Sequence, residues 1–235
     1  MTRADQAPRR DVVVVASGGL DSTTLAYWLG TEGWNLTLLG VDYGQRHCTE
    51  LSFLKRTAAV LKAPYVQLEI SDFGKRLAGT ALTDERVDVP AGTYTDPSMK
   101  VTVVPHRNAL LLDLAVGVAV STRAEAVAFG AHSGDHPIYP DCRPEFVKAY
   151  AQMVAVSNEG FLADGFEVLA PFLNWTKADI VRLGAEVGVP FSDTWSCYRG
   201  GPRHCGECGT CTERKEAFVL AGVGDPTEYI DSGQD

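Results

Sequence analysis

The sequence predicts a doubly wound parallel α/β sheet of Rossmann-like type, with a small cysteine-rich, zinc-binding module at the C-terminal end. Three observations predict it. Valine-rich apolar runs alternate with helical stretches through the first half, a glycine-serine turn joins the first run to the first helix, and four cysteines fall within fifteen residues near the end. The expected division is 1–190 for the main domain and 191–235 for the module, packed on the same domain.

Residues 12–16 form a continuous apolar run, as a strand buried on both faces requires. A helix over 22–29, a buried strand over 36–41, a helix over about 49–61 and a strand over 65–70 follow. This alternation implies crossovers, a parallel sheet and helices on both faces. Residues 71 to about 103 carry Gly, Pro, Thr and Asp with weak periodicity; so long a loop in a compact domain suggests a functional element, here a lid that orders over a nucleotide. Residues 108–120 (NALLLDLAVGVAV) read as a buried helix and 126–129 as a short strand; 145–156 read as helical. A helix over 176–187 has a start signal in Thr176 followed three residues later by Asp179. The last twelve residues are expected to fray.

With 235 residues, 45% apolar and 22% charged, the chain has enough apolar material for one core. A formal net charge of -9 argues against a broad electrostatic grip on DNA, RNA or an anionic membrane. No apolar run approaches the roughly 18 residues of a membrane span. The polar first ten residues carry no secretory signal, and the expected location is the cytoplasm.

The turn Ser17-Gly18-Gly19-Leu20-Asp21-Ser22 follows a buried strand and opens a helix. Two glycines allow a tight turn and close approach of backbone to a ligand, and the helix N-terminus aims amide groups at one spot, so the product is an anion cradle. The alternative is a strand–helix turn with incidental glycines. Both the Walker A lysine and the dinucleotide glycine spacing are absent. Cys197, Cys205, Cys208 and Cys211 have the spacing C-x7-C-x2-C-x2-C, suited to a closed tetrahedral site. Zinc is the expected ion, with an iron–sulfur cluster or no metal as the alternatives; His204 is a possible substitute ligand. Cys48 and Cys142 lie outside the cluster and read as packed thiols rather than nucleophiles. His132 and His136 are four apart, but Gly134 and Pro137 disfavour a helical ligand pair.

SGGLDS after a first strand resembles the pyrophosphate loop of the ATP pyrophosphatases, an adenine nucleotide α-hydrolase type of fold. With VDYGQRH (41–47), VPHRN (104–108), YPDCRPEF (139–146), NWTKADI (174–180) and the cysteine-rich tail, it resembles the 7-cyano-7-deazaguanine synthase family along nearly the whole chain. The resemblance implies a carbon–nitrogen ligase of queuosine or other 7-deazapurine biosynthesis. In that reaction ATP adenylates 7-carboxy-7-deazaguanine, ammonia displaces AMP, and a second ATP drives dehydration of the amide to the nitrile. It implies Mg2+ with the nucleotide, one structural zinc per subunit, and a homodimer without nucleic-acid or membrane partners.

By resemblance, ATP would be held by Val15, Ala16, Ser17, Gly18, Gly19, Leu20, Asp21, Ser22, Thr23, Thr24 and Leu25, with Asp21 near magnesium. Asp42 lies at the strand's carboxyl edge, where a nucleotide crevice forms. Two anions must be brought together, and Arg107, Arg143 and Lys177 are the candidate cations. Asp21, Lys177 and Arg143 are the candidate catalytic residues; Lys177 suits charge on the α-phosphate, or is a solvated lysine. Arg107, Asn108, Asp135, Asp141 and Arg143 are the candidate substrate contacts. The two aspartates suit the guanine-like N–H groups, or belong to a solvated loop, and Arg107 alternatively only starts a helix. The chain departs from the family pattern at His106, where glycine is usual, and in the 131–138 loop. That loop leaves the acyl acceptor open, with arrest at the amide or transfer to another amine as alternatives. A tRNA thiolase and a non-catalytic nucleotide-binding scaffold are the readings from other classes.

Overall fold

A computed structural model describes residues 10–94 and 96–230. Five strands, β1 (Asp11–Val15), β2 (Asn35–Asp42), β3 (Tyr65–Glu69), β4 (Ala126–Ala128) and β5 (Glu167–Leu169), form one parallel sheet in the order β3-β2-β1-β4-β5. Because side chains alternate along a strand, β1 serves two cores at once. Val12 and Val14 pack with α1 (Leu20–Thr31), α2 (Glu50–Leu61), α6 (Lys177–Glu186) and α7 (Gly209–Ala221) on one face. Val13 packs with α4 (Arg107–Thr122) and α5 (Pro144–Ser157) on the other. The short α3 (Ser71–Gly74) follows β3. Chain order reverses between β1 and β4, the crevice where open α/β sheets take ligands.

The expected elements are present with ends moved by a few residues. Lys177–Glu186 starts on a complete capping box, with Thr176 and Asp179 each bonded to the other's backbone N–H. β5, with three residues, and α7 are absent from the sequence reading. Helix α7 had a usable stop signal in Gly222, which caps it in the left-handed region.

Four expectations change. Residues 71–103 are a packed wall rather than a lid. Arg46 Nη2 donates to the carbonyls of Asp84 and Val87 at 3.0 Å, Ala81 N–H to Val101 O at 2.7 Å, and Ala81, Leu82, Val89, Tyr94 and Met99 are buried. Position 95 lies outside the described residues. The tail does not fray as far as residue 230: Ile230 N–H donates to His204 O at 2.8 Å, and Tyr229 bridges to His204. The remaining tail, 231–235, and the polar residues 1–9 lie outside the described residues. Cys48 is exposed rather than packed. Finally, Pro97–Thr122 is long and apolar enough to cross a membrane by length and composition. In the fold a 3-10 turn (Pro97–Thr102) is separated by a non-helical break at 103–106 from α4, which buries Ala109, Leu112, Ala115, Val116 and Ala119.

His106 caps α4 with φ 62°, a left-handed conformation that costs a non-glycine residue roughly 1 kcal/mol. Glycine would take this conformation without that cost. His106→Gly is expected to raise the urea midpoint by about 1 kcal/mol equivalent at unchanged slope. An unmoved midpoint would mean that the His106 side chain makes a compensating contact.

Candidate active site

The loop after β1 is shaped for an anion. Gly18 has φ 86°, and any β-carbon there would collide with the Glu50 carbonyl and Leu54 N of α2. Glycine is therefore obligatory where the loop turns under α2. Gly19 caps α1 without a side-chain hydrogen bond, leaving the first-turn amides of α1 uncapped by any side chain. Within the loop, Ser17 Oγ accepts from Gly19 N–H at 3.1 Å and Ser22 Oγ accepts from Ser17 N–H at 3.1 Å. Gly130, following β4, abuts the Asp21 backbone across the reversal point.

One cavity opens at this edge, lined by Val15, Ala16, Ser17, Gly19, Leu20, Asp21 and Ser22 of the loop and by Arg107, Asn108, Asp135 and Lys177 from later elements. Lys177 Nζ donates to Asp21 Oδ2 at 2.7 Å across 156 residues of sequence and lies 3.1 Å from Glu213 Oε2. Burial pulls the Lys177 ammonium towards its neutral form, but Asp21, Glu213 and Asp135 outweigh it, and its pKa is held above the ordinary value. Asp135 sits opposite. Burial would raise it, but His132 and Lys177, with Tyr94 O–H donating at 2.9 Å, hold it below the usual carboxylate range. His132 is 1% exposed, and its Nδ1 accepts from Gly134 N–H at 3.1 Å. In a neutral ring the proton then sits on Nε2, facing Asp135 Oδ2 at 3.6 Å and Asp21 Oδ2 at 4.0 Å. Its 3.3 Å contact with Lys177 Nζ is then one between two donors.

A second pole contains Tyr43, His47, Glu50, Arg107 and Tyr198. Burial raises the Glu50 carboxyl to about 8, against the lowering pull of the Gln45 amide (3.2 Å), Arg107 and Ser17. Burial, then Arg107 and Arg46, lowers His47 to about 3. Between about 4.5 and about 8 the folded chain keeps a Glu50 proton that the unfolded chain has released, so stability falls as pH rises. For His47 the unfolded chain holds the extra proton, and stability rises with pH from about 3 to 6.5. The two effects oppose each other between about 4.5 and 6.5, and above 6.5 only Glu50 acts. Because the zinc-bound cysteines also take up protons on unfolding, Glu50 is read by difference: at full zinc loading, Glu50→Gln is expected to make the slope of unfolding free energy against pH more positive between 6.5 and 8, by up to one proton's worth. An identical slope in the variant would place the titrating group elsewhere.

Not every candidate residue reaches the cavity. Thr23, Thr24 and Leu25 are buried within α1, and Gly18 turns beneath α2. Asp42 accepts from Gly44 N–H at 2.9 Å and shapes the turn after β2. Asp141 accepts from Asn108 N–H at 2.9 Å and caps α4, and Arg143 is exposed, with Nε donating to His136 O at 2.8 Å. None of these three lines the cavity. Sequence reasoning missed Tyr43, His47, Glu50, Tyr94, Trp195, Ser196 and Tyr198 on its wall, and Glu213 and His132 against Lys177. The run VDYGQRHCTE carries three of these, and the cysteine-rich tail over 194–218 carries Trp195, Ser196, Tyr198 and Glu213; Tyr94 and His132 lie outside both. Cys142, also on the wall, is pushed up by burial and by Asp135 and Asp141, so it stands as a thiol. A sulfur-carrying cysteine of a thiolase needs the thiolate.

The four C-terminal cysteines converge, with every Sγ within 4.8 Å of the others and Cys205 Sγ to Cys211 Sγ at 3.9 Å. Tetrahedral zinc at about 2.3 Å from each sulfur implies sulfur separations of about 3.8 Å, so the set fits. Backbone N–H groups of Glu207 and Cys208 point at Cys205 Sγ, and that of Cys205 at Cys197 Sγ, at 3.3–3.4 Å, a pattern that stabilises thiolates. His204 Nε2 instead accepts from Ser196 N–H at 3.0 Å, which leaves the cysteines as the ligand set.

A family model described as "Queuosine biosynthesis protein QueC" matches residues 11–222. The chain belongs to the QueC family. It is 53% identical over 220 residues to the 7-cyano-7-deazaguanine synthase of Allorhizobium ampelinum, covering 94% of this chain and 92% of the relative. It is 54% identical to that of Rhizobium meliloti, over 93% and 92%, and 52% identical to 7-cyano-7-deazaguanine synthase 1 of Mesorhizobium japonicum, over 94% of each. The QueC match spans both the glycine turn after β1 and all four cysteines.

Proposed function

We propose that the chain is a carbon–nitrogen ligase that converts 7-carboxy-7-deazaguanine and ammonia to 7-cyano-7-deazaguanine with ATP. The observation that carries this reading within the fold is the Lys177–Asp21 pair, which puts a permanent cation against the anion loop in the cavity at the sheet's switch point. The relatives' shared name supplies the substrate class.

A carboxylate is a poor electrophile because it is anionic and lacks a leaving group. In the reading, a substrate carboxylate oxygen attacks the α-phosphorus of ATP, and pyrophosphate leaves. Loop amides at the start of α1 and Lys177 hold the phosphates and take up charge that grows in the transition state. Ammonia attacks the acyl carbon, AMP leaves with the C–O electron pair, and a proton lost from nitrogen gives the amide. A second adenylation, on the amide oxygen, releases pyrophosphate and one N–H proton and makes that oxygen a leaving group. Loss of AMP and the remaining N–H proton gives the nitrile. Asp21 Oδ1 is buried without a hydrogen-bond donor, an acceptor suited to magnesium. Magnesium there would neutralise phosphate charge. Asp135 and Glu50 are the acceptors for the heterocycle's N–H groups, with Arg107 opposing the carboxylate.

In this assignment residues 1–190 carry the chemistry and 191–235 the zinc brace. A cytoplasmic homodimer with small-molecule partners alone completes the reading, and the net charge of -9 is in keeping with the lack of a nucleic-acid partner. Purified protein with MgATP, ammonium and 7-carboxy-7-deazaguanine is expected to yield the nitrile, AMP and pyrophosphate by mass spectrometry. Arrest at the amide would move attention to the 131–138 loop, and no AMP would refute the adenylation chemistry.

A further inference from the structure

Lys177 is gripped from two sides. Asp21 reaches it from the phosphate loop, and Glu213 from α7, whose cap and first turn are Cys208 and Cys211. The Glu213 side chain is 12% exposed, and its Oε2 has no hydrogen-bond donor although Lys177 Nζ lies 3.1 Å away. Its other oxygen is walled in by Gly134, where an added β-carbon would sit 3.0 Å from it. The next residue, Arg214, is 0% exposed and fixes the rotation of α7. Its guanidinium donates to Thr194 Oγ1 at 2.8 Å, Phe191 O at 2.9 Å and Ser196 Oγ at 3.1 Å. The same 194–196 strip is bonded to the phosphate loop, with Trp195 N–H donating to Gly18 O at 2.9 Å.

We infer that Glu213 is a positioning residue, an anchor on the zinc-braced helix that holds the Lys177 ammonium over the phosphate loop while ATP is bound. This rests on the adenylation reading above. The physical need is specific. If Asp21 turns to the nucleotide's cation, Lys177 loses its shortest partner, and a flexible four-carbon stem keeps its place only if another anion holds it. Glu213 supplies that anion from a different element, so the module contributes to the site as well as to stability.

Glu213→Gln, Glu213→Asp and, as a control on the same helix, Lys215→Gln separate the possibilities. Lys215 Nζ donates to Gly206 O at 2.9 Å within the module and does not touch Lys177. Zinc per chain, melting temperature, MgATP dissociation constant, and kcat and KM from pyrophosphate release are measured for each. Glu213→Gln is expected to keep its zinc and to bind MgATP as tightly as the parent or more tightly, because one negative charge has left an anion site. Its kcat falls roughly 10- to 100-fold. Glu213→Asp recovers part of kcat, and Lys215→Gln leaves kcat unchanged. A kcat for Glu213→Gln within twofold of the parent overturns the inference. So does a fall in kcat that merely tracks loss of zinc and of MgATP binding. A parent protein that releases no pyrophosphate overturns the adenylation reading, and this inference with it; parent turnover with an unaffected Glu213→Gln overturns this inference alone.

Discussion

Lys177→Gln is expected to lower kcat by about two to three orders of magnitude, the usual cost of removing one preorganised group that stabilises transition-state charge. The effect has two parts. The ammonium assigned to the α-phosphate in the proposed reaction is gone, and Asp21, Glu213 and Asp135 are left without the cation that offsets them. Loss of one partner from a buried pair costs about 3–5 kcal/mol; Lys177 is 14% exposed and Asp21 24%, so the lower end applies. MgATP should bind more weakly as well, since three carboxylates then face its phosphates. Lys177→Arg keeps the charge but spreads it over a planar fork, and should recover affinity more than kcat. The check is isothermal titration with MgATP beside steady-state pyrophosphate release. Full kcat in Lys177→Gln would remove Lys177 from the chemistry and leave it a structural cation.

The second large effect is loss of the metal. Cys208→Ser, or removal of zinc by a chelator, is expected to collapse residues 195–230 and, with them, the cavity proposed to take the nucleotide. Structural zinc contributes about 10–16 kcal/mol apparent binding energy in small zinc domains, comparable to the whole stability of a domain at roughly 5–15 kcal/mol. Here the module is not a separable bead. Ala91 bridges to Cys208, Trp195 stacks on Phe53 and His204, and Phe218 of α7 packs edge-on against Phe191 in the main core. Zinc removal should therefore release the 71–103 wall from Cys208 as well as the 194–196 strip from the phosphate loop. The measurement is zinc release against melting temperature and MgATP affinity in the same titration. A zinc-free protein with the parent's melting temperature and nucleotide affinity would show that the cysteines brace nothing.

The 71–103 segment shows why one sequence reading failed. A long stretch with Gly, Pro and Asp and no periodicity looks mobile, because periodicity reports only regular elements. Its order comes from single long-range contacts, such as Arg46 on Asp84 and Val87 and Gly92 on Glu207, which leave no repeating trace. A deletion across 94–100 would now be expected to open the core, since Met99 is 1% exposed and packs on Gly209. Asp141 and Arg143, expected as substrate contacts, do not line the cavity for a related reason. They sit in the run YPDCRPEF, yet local geometry uses Asp141 to cap α4 and turns Arg143 outward to a backbone carbonyl.

The sequence by itself determined what is local: the buried β1 run, the glycine turn under α2, the capping box at Thr176, and the two CxxC turns of the four-cysteine cluster. Each is fixed by neighbours within a few residues, through backbone conformation, a cap or chelate spacing. Only the tertiary structure decided which charges meet. Asp21, Asp135, Lys177 and Glu213 come from four elements spread over 193 positions, and whether each is a solvated side chain or half of a buried pair depends on strand order and helix rotation. The same holds for Glu50 and His47, whose displaced pKa values arise from burial and, for His47, from Arg107 and Arg46 as well, a property no local pattern encodes.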